Sequence, residues 1–349
     1  MGRLTLQTVA DEAGVSRSTV SNAYNRPDQL STEVRERVLE TARRLGYAGP
    51  DAAARSLRSG RAGALGVLFT ETLSYALSDP YGVEFLRGLA SVAEAHATGL
   101  LLVPLDEVDR EAACTATRQA VVDGFCLECV DEANPVVDVI LDRGLPLVTT
   151  TKPVDREMAY VGIDERVAAR TAAEHLARLG HRRVAVVVDG RPPFGAEGPQ
   201  PLHRAVDDAV DRNAALRLLG FCDGLPNAQL EVAAARRNTR EDGRDAAAQV
   251  LDRRDRPTAV ITISDVLALG VLDAMHQRGL GAGQKISLVG FDDIPAAADA
   301  GLTTIRQPVH EKGRLAGLRL LEPDAVPDLQ VTLPTELVVR ASSGPVWPD

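Results

Sequence analysis

Residues 4–25, LTLQTVADEAGVSRSTVSNAYN, decide the fold of the N-terminal region. Ala10, Gly14 and Val20 fall where two crossing helices need a small residue, a turn that permits positive φ, and an apolar core residue. The other positions at the crossing are apolar and mostly small: Val9, Ala13, Val15 and Ala23. This spacing predicts two short helices in a helix-turn-helix arrangement.

The residues that this packing leaves outside are short polar side chains and one arginine: Ser16, Arg17, Ser18, Ser21, Asn22 and Asn25. Ser16 precedes the second helix and has a side chain suited to an N-cap. Such donors and acceptors match base edges and phosphates. The alternative is an ordinary solvated helix face, but the helix-turn-helix spacing and the N-terminal position both favour DNA contact.

A third helix is predicted from Thr32 to Leu45, because Ser31 can cap its start and Gly46 can end it. Its apolar stripe consists of Val34, Val38, Ala42 and Leu45. We expect Tyr47 to fold back on the small core that the three helices enclose. The alanine-rich segment after Pro50 is too short to form a stable helix by itself.

Residues 4–60 resemble the DNA-binding headpiece of the lactose-repressor (LacI/GalR) family. The resemblance rests on TVADEAGVSRSTVSNAYN, VRERVLETARRLGY and AAARSLRSG, which are residues 8–25, 34–47 and 52–60. It implies base reading by Arg17, Ser18 and Asn22. It also implies positioning on phosphates by Ser16, Thr19, Ser21, Asn25 and Ser31, and minor-groove contact by the hinge residues Ala54 and Leu57. Two Leu57 wedges at the centre of a dimer would unstack a base step and bend the duplex.

Charge is distributed unevenly along the chain, whose formal net charge is -10. Residues 1–61 contain ten arginines and seven acids, a net charge of +3, so the remaining residues carry -13. A basic head on an acidic body suits a protein whose head alone touches DNA phosphates.

The composition is that of a globular protein of two or three domains, with 349 residues and 45% hydrophobic content. The sequence has no apolar run of the roughly 20 residues that span a bilayer, and no secretory signal pattern. A cytoplasmic location follows, in which Cys114, Cys126, Cys129 and Cys222 are reduced thiols. Cys126 and Cys129 form a C-x-x-C inside an apolar run, so buried thiols are favoured over a redox switch.

From Ala62 onward, short apolar runs alternate with amphipathic stretches. The predicted strands are 64–69, 100–105, 124–130, 146–150, 160–163, 183–188, 258–263 and 286–291. The predicted helices are 83–97, 111–122, 166–179, 204–219, 243–253 and 266–278. This alternation predicts doubly wound α/β structure, and the number of strands favours two Rossmann-like lobes.

The family resemblance extends to about Arg340 and implies two lobes of the periplasmic-binding-protein type. It divides the chain into a headpiece (1–49), a hinge (50–61), an effector-binding and dimerisation domain (62–340) and a tail (341–349). The first lobe would comprise 62–160 plus 293–323 and the second 161–292 plus 324–340. Crossovers are expected near 160–163, 290–296 and 321–327.

Candidate ligand residues lie near predicted strand ends, where open α/β sheets bind ligands. Asp265 and Asp292 each follow an apolar strand, and Arg217 matches the arginine that binds effectors in the family. For the two aspartates, a helix N-cap or an interlobe tie is the alternative. Phe69 and Tyr75, with Tyr81, are the best candidates for stacking on a sugar ring; the alternative is that Phe69 is core and the tyrosines are surface. Residues 189–203 form a Gly/Pro-rich loop that is either functional or unstructured.

Nothing in the sequence supports catalysis or a bound cofactor. The six histidines, 96, 175, 181, 203, 276 and 310, show no metal-ligand spacing, and no serine or cysteine lies in a nucleophile-elbow context. The tail has no leucine heptads, so a homodimer rather than a tetramer is expected. One headpiece covers half of a pseudo-palindromic operator, which also requires a dimer.

The sequence therefore predicts a transcriptional regulator that binds double-stranded DNA as a repressor controlled by a small ligand such as a sugar. The alternatives within this class are a regulator without a small effector and an activator. A solute-binding transport protein would share the body but would need a secretion signal and no head. An enzyme would need an acid-base pair or a phosphate loop.

Overall fold

A computed structural model describes residues 4–49, 60–69, 72–105, 109–190, 200–201 and 211–347. The chain divides into two units, Met1–Gly63 and Ala64–Asp349. The first contains helices α1 (Leu6–Ala13), α2 (Arg17–Asn25) and α3 (Thr32–Leu45), with a 3₁₀ turn at Pro27–Gln29. The bounds of α3 confirm the prediction. The predicted hinge residues Ala54 and Leu57 lie outside the described residues.

Local capping sets the ends of the headpiece helices. Ser16 and Ser31 accept hydrogen bonds from the backbone N–H groups of Thr19 and Val34, as predicted. Gly14 and Gly46 end α1 and α3 with φ of 63° and 75°, a region that favours glycine. The buried core consists of Val9, Ala10, Ala13, Val20, Ala23, Val38 and Ala42. Tyr47 packs on this core, edge-on to Tyr24 at 6.3 Å between ring centroids.

The first lobe of the larger unit is built on a six-stranded parallel sheet in the order β12-β5-β4-β3-β1-β2. Its strands are β1 (Ala64–Phe69), β2 (Gly99–Pro104), β3 (Phe125–Glu128), β4 (Leu147–Thr149), β5 (Ala159–Ile163) and β12 (Gln330–Leu333). Its helices are α4 (Leu73–Ala76), α5 (Pro80–Ala95), α6 (Arg110–Gln119), α7 (Pro135–Asp142) and α13 (Val309–Leu321). A 3₁₀ turn, Pro323–Ala325, follows α13.

The second lobe is built on a seven-stranded sheet in the order β13-β11-β10-β9-β6-β8-β7, antiparallel only at its two edges. Its strands are β6 (Arg183–Asp189), β7 (Gln200–Pro201), β8 (Gln229–Ala235), β9 (Ala259–Thr262), β10 (Ser287–Asp292), β11 (Thr303–Arg306) and β13 (Glu336–Val338). Its helices are α8 (Glu165–Arg178), α9 (Arg212–Gly224), α10 (Arg240–Leu251), α11 (Asp265–Gln277) and α12 (Pro295–Asp299). Two parallel-sheet lobes confirm the predicted fold class.

The crossovers between the lobes differ from the prediction. Strand β5 still pairs with β4, so the first crossover lies after Ile163, just beyond the predicted 160–163. Strand β11 extends the second-lobe sheet, with Val289 opposite Thr303, and the chain returns only between Arg306 and Val309 instead of near 290–296. The third crossover joins β12 to β13 between Leu333 and Glu336, instead of near 321–327. Residues 293–306 therefore belong to the second lobe.

Close helix pairs cover each sheet. On the first lobe, α5 and α13 approach so closely that a Cβ at Gly88 would collide with the carbonyl oxygen of His310, and one at Gly313 with that of Phe85. On the second lobe, Gly270 of α11 touches the backbone of α10 at Arg240 in the same way. Because such contacts leave no room for sliding, each lobe is expected to move as a rigid body.

Candidate functional site

Helix α2 carries most of the predicted DNA-contact residues of the headpiece. Arg17 and Ser18 are exposed and Asn22 is half-buried. The Asn22 amide is 3.4 Å from Oε1 of Gln29, and the Asn25 amide donates to the carbonyl of Ser21 at 2.9 Å. Ser16 Oγ lies 2.7 Å from the Ser18 hydroxyl, so the first turn is ordered before any ligand binds. Which of these residues read bases and which touch phosphates remains a prediction.

A cavity of about 130 Å³ lies between the two lobes of the larger unit. This volume exceeds the ~30 Å³ that one water occupies, so the cavity has room for a small molecule. We call it the interlobe cavity. Its wall consists of Tyr75, Asp79, Tyr81, Cys129, Asp189, Asp211, Asn213, Ala214, Arg217, Asn238, Ile263, Ser264 and Asp292.

Arg217 of α9 is fixed on this wall by three neighbours. Its Nε donates to Oε2 of Glu165 at 2.7 Å, and its Nη1 donates to the carbonyl of Ile263. The guanidinium carbon stands 3.8 Å from the ring centroid of Phe291. Burial alone would lower the pKa of Arg217, but Glu165 and Asp292 outweigh it and hold the pKa above its ordinary value. Nη2 makes no hydrogen bond with any described residue, so Arg217 offers a charged donor to a ligand.

Asp292 ends β10 with φ of 116°, a conformation that side chains other than glycine rarely adopt. Its Oδ1 lies 3.8 Å from Nη1 of Arg217 and accepts a hydrogen bond from Nε2 of Gln307 at 2.6 Å. Burial raises the pKa of Asp292 well above its usual range, and the nearby Arg217 opposes this only in part. Strain and burial at one wall residue are typical of functional sites.

A buried polar chain continues from Gln307 into the first lobe. Oε1 of Gln307 accepts from Nζ of Lys312 at 2.9 Å, and Nζ also donates to the Tyr81 hydroxyl at 2.8 Å. The Tyr81 hydroxyl donates to Oε1 of Glu128 at 2.8 Å. The other Glu128 oxygen is buried and has no hydrogen-bond partner among the described residues. The chain therefore ties the cavity wall of one lobe to that of the other.

Two further contacts join the lobes across the cavity. Tyr75 donates to the carbonyl of Asn238 at 3.1 Å, and the Asn238 amide donates back to the Tyr75 oxygen at 2.7 Å. Oδ1 of Asn238 accepts a hydrogen bond from Ser264. The Asn213 amide lies 3.7 Å from the Cys129 sulfur.

Carboxylates dominate the charge of the cavity wall. Asp79, Asp189, Asp211 and Asp292 line it, against the single cation Arg217. Burial raises the pKa of Asp211 to about 6, in spite of a hydrogen bond from Ala214, and burial likewise raises the pKa of Asp79. Ionised carboxylates only accept hydrogen bonds, whereas a carboxyl that stays protonated is neutral and can also donate one. This wall therefore favours a neutral ligand rich in hydroxyl donors over an anion.

Of the five effector residues proposed from the sequence, the structure brings Arg217, Asp292 and Tyr75 to the cavity wall. Asp265 is not on it: the residue is fully buried, and its carboxylate accepts hydrogen bonds from Thr304 Oγ1 at 2.7 Å and Ile294 N at 3.0 Å. Phe69 is not on it either, since the ring packs edge-on against Phe85 in the first-lobe core. For Phe69, the core alternative was correct. Asp265 fits neither alternative, because Ser264 is the N-cap of α11 and because Thr304 and Ile294 belong to the same lobe as Asp265.

Sequence reasoning missed several wall residues. Asp189 ends strand β6, so the strand-end rule that selected Asp265 and Asp292 could have found it. Asn238 follows β8, a strand that the sequence did not reveal. Asp211 and Asn213 follow residues 202–210, and most of the predicted 189–203 loop lies outside the described residues.

The described residues give no support to metal binding or to a membrane span. There, no group of three or more His, Cys, Asp or Glu side chains is arranged to hold a metal ion. No helix of the described part of the chain is long and apolar enough to cross a membrane. The four cysteines are free thiols, and burial raises the pKa of Cys126 and Cys129 well above the usual range.

A helix-turn-helix head and a two-lobed body with an interlobe cavity define a DNA-binding transcriptional regulator. Comparisons with known proteins agree. Residues 5–49 match the bacterial regulatory proteins of the lacI family, and residues 173–343 match a periplasmic binding protein-like domain. The chain is 39% identical to an HTH-type transcriptional regulator of Mycobacterium tuberculosis, over 98% of both proteins. The chain belongs to the LacI family.

Solved structures show the same fold over the whole chain. The crystal structure of a LacI-family transcriptional regulator from Corynebacterium glutamicum superposes with a TM-score of 0.72 and 32% identity, covering 98% of this chain and 99% of that one. The complex of the transcriptional regulator CelR with cellobiose superposes with a TM-score of 0.67 and 25% identity, covering 97% and 100% of the two chains.

Proposed function

We propose that this regulator is a dimeric repressor whose affinity for its operator is controlled by a neutral sugar or polyol in the interlobe cavity. The observation that carries the proposal is the wall chemistry: four aspartates and one arginine around a small cavity. Aspartates accept hydrogen bonds from ligand hydroxyls, and the planar guanidinium of Arg217 donates to ligand oxygens. The cellobiose bound by CelR, a structural relative, supports the sugar class.

An anionic effector fits this wall poorly. A phosphate or carboxylate ligand would gain one favourable partner in Arg217, but Arg217 is already engaged by Glu165 and lies near Asp292. The remaining charged groups on the wall, Asp79, Asp189 and Asp211, would repel the anion in a poorly solvated space. A neutral polyol avoids this repulsion and uses the same carboxylates as acceptors.

Ligand control requires that the two lobes change their mutual position. The pairs Tyr75–Asn238 and Asn213–Cys129, together with the chain through Gln307, are the contacts that an effector would make, break or replace. We propose that lobe closure changes the separation of the two hinge segments in the dimer, so that helices around Ala54 and Leu57 form or melt. A coupling of about 1–3 kcal/mol would change operator affinity by roughly 5- to 150-fold.

The remaining features of the proposal follow from the DNA target. A pseudo-palindromic operator needs two headpieces, hence a homodimer. Access to DNA places the protein in the cytoplasm. We propose no enzymatic activity and no cofactor, because control by reversible ligand binding needs neither.

The experiment is a thermal-shift screen of the full-length protein against sugars, polyols, nucleobases, sugar phosphates and small carboxylates. A neutral hit at 100 times its Kd should raise the unfolding midpoint by about 5 °C. The hit should then change the affinity for an operator selected from random duplexes, measured by fluorescence anisotropy. Asp211→Asn should lower the affinity for this ligand. Asp223→Asn should not, because Asp223 lies on the helix that Asp211 caps but is exposed and pairs with Arg166.

Two results would contradict this proposal. Selective stabilisation by sugar phosphates or carboxylates would show that the cavity wall binds anions in preference to neutral ligands. Operator binding that no neutral ligand changes would favour a regulator without a small effector. An activator would instead bind the same operators and increase transcription in a reporter assay.

A further inference from the structure

A second, larger cavity opens on the opposite edge of the second-lobe sheet. Arg183 begins strand β6, Thr258 precedes β9 and Lys285 precedes β10, so the cavity lies at the amino ends of these parallel strands. The interlobe cavity lies at their carboxyl ends, about 20 Å away along the seven residues of β6. We call the larger one the basic cavity; its volume is about 1050 Å³. It is lined by Arg183, Arg253, Arg254, Arg256, Pro257, Thr258, Gln284, Lys285 and Trp347.

The basic cavity carries an excess of positive charge in a body that is acidic overall. Five of its residues are cations, and two carboxylates offset them: Arg253 pairs with Glu231 and, at 2.7 Å, with Asp255. Within the described part of the chain, Arg183, Arg254 and Arg256 form no ion pair. Several exposed arginines elsewhere in this lobe do form ion pairs, as Arg240 does with Asp273 at 2.6 Å. Repulsion among three such guanidiniums is relieved when an anion binds between them.

Trp347 supplies a large aromatic face at the same cavity. It is 69% exposed, which is unusual because tryptophan, the largest aromatic side chain, is highly buried on average. The segment before it is anchored: Gly344 N donates to Ser287 Oγ at 2.9 Å, and Val346 N donates to the Leu179 carbonyl at 3.1 Å. His181 lies 3.0 Å from the Gly344 carbonyl, so the segment is held against the sheet edge beside the arginines.

We infer that the basic cavity binds a nucleotide with two or more phosphates, whose base stacks on Trp347 and whose phosphates bind Arg183, Arg254 and Arg256. Planar guanidiniums match phosphate oxygens two at a time, and an exposed indole is a platform for a planar base. The cavity is concave and has the size of a small-molecule site. These features favour a compact ligand with one planar and one polyanionic part over an acidic protein segment.

The chain has a single tryptophan, so its fluorescence reports on this cavity alone. The full-length protein is titrated at low ionic strength with ATP as the probe, and in parallel with adenosine, inorganic tripolyphosphate and a poly-glutamate peptide. We expect saturable quenching by ATP, no quenching by adenosine at the same concentrations, and weaker binding of tripolyphosphate measured by competition.

Substitution then assigns the site. Arg254→Gln combined with Arg256→Gln should lower the affinity for ATP at least tenfold. It should leave operator binding in the absence of ATP unchanged. The matched control, Arg240→Gln combined with Arg244→Gln, removes two ion-paired arginines from the same lobe and should bind ATP like the wild type. Trp347→Phe should lower the affinity for ATP more than the affinity for tripolyphosphate. Calorimetry measures both affinities, because this variant has no tryptophan fluorescence.

Four results would overturn the inference. They are the absence of saturable quenching by ATP, equal quenching by adenosine, tripolyphosphate binding as tightly as ATP, and tighter binding of the peptide. The third would identify an anion site without base recognition, and the fourth a protein-docking site. Each is independent of whether a sugar or polyol binds in the interlobe cavity.

Discussion

Tyr75 and Asn238 form a reciprocal pair across the interlobe cavity. The tyrosine hydroxyl donates to the backbone carbonyl of Asn238 and accepts a hydrogen bond from the side-chain amide of Asn238. The two residues belong to different lobes and lie 163 positions apart in the chain. Both also line the cavity, so we expect the pair to hold the two lobes closed around a ligand. The pair therefore joins ligand binding to the relative position of the lobes.

Tyr75→Phe should weaken effector binding about two- to tenfold, because it removes both hydrogen bonds, each contributing roughly 0.5–1.5 kcal/mol. Isothermal calorimetry with the strongest ligand from the screen measures this. Tyr160→Phe is the matched control, since the Tyr160 hydroxyl donates to the Ile163 carbonyl at 2.7 Å inside the first lobe. It should lower stability and leave effector affinity unchanged. Equal affinity losses in both variants would show that the effect is not specific to the cavity.

Arg217→Lys should reduce effector affinity at least tenfold although the charge is kept. A lysine cannot donate to Glu165 and Ile263 together while stacking on Phe291. The control is Arg166→Lys, which alters an exposed pair with Asp223 on the outside of the same lobe. If Arg217→Lys binds the effector as well as the wild type does, the ligand is held without the guanidinium.

Leu57→Ala should weaken specific operator binding by about tenfold or more, while salt-driven binding to unrelated DNA stays nearly unchanged. Loss of the wedge removes the bend that specific contacts require, whereas nonspecific binding depends on phosphates. Anisotropy titrations at several salt concentrations distinguish the two. Leu141→Ala, at an exposed leucine of α7, is the control. Equal losses of affinity for operator and for random DNA would show that Leu57 does not act by inserting into the minor groove of the operator.

Asp265→Asn should give a stability deficit that depends on pH. Burial raises the pKa of Asp265 to about 7, in spite of its hydrogen bonds from Thr304 and Ile294, whereas an unfolded aspartate titrates near 3.9. Between these values the folded state retains a proton that the unfolded state has lost. The free energy of unfolding of the wild type therefore falls as pH rises from about 4 to about 7, by at most ~1.4 kcal/mol per pH unit.

The variant lacks this titration, so its deficit relative to the wild type should shrink between about pH 4 and pH 7 and stay constant above. Denaturant unfolding at several pH values measures the difference. Burial lowers the pKa of His175 and His181, so these residues make the free energy of unfolding rise with pH near pH 6. This contribution is the same in the wild type and in Asp265→Asn, so it cancels in the difference between them. A deficit independent of pH would mean that Asp265 does not titrate in this range.

The sequence predicted most of the elements that are apolar on both faces, such as β1 and β6, and those with clear caps, such as α3. It missed β12 and β13 because both are short edge strands made only of exposed and half-buried residues. It also missed α13, which contains Gly313 and Gly317. At Gly313 only glycine permits the close crossing with α5, because a Cβ there would collide with the carbonyl oxygen of Phe85.

The interlobe cavity was predicted in part. Arg217, Asp292 and Tyr75 could be proposed because strand ends and family resemblance point to them. Asp265 obeys the same strand-end rule, yet its side chain turns inward to Ile294 and Thr304, which no spacing in the sequence reveals. The basic cavity could not be predicted, because it assembles residues from four separate segments between Arg183 and Trp347.

The return of the chain to the first lobe imposes an order of events during synthesis. The headpiece has its own core by Tyr47, but the first-lobe sheet lacks its edge strand β12 until Leu333 has been made. At 5–20 residues per second, the intervening chain takes roughly 15 to 60 s to synthesise. A newly made chain therefore carries a folded headpiece on the ribosome well before a sensor domain exists to regulate it.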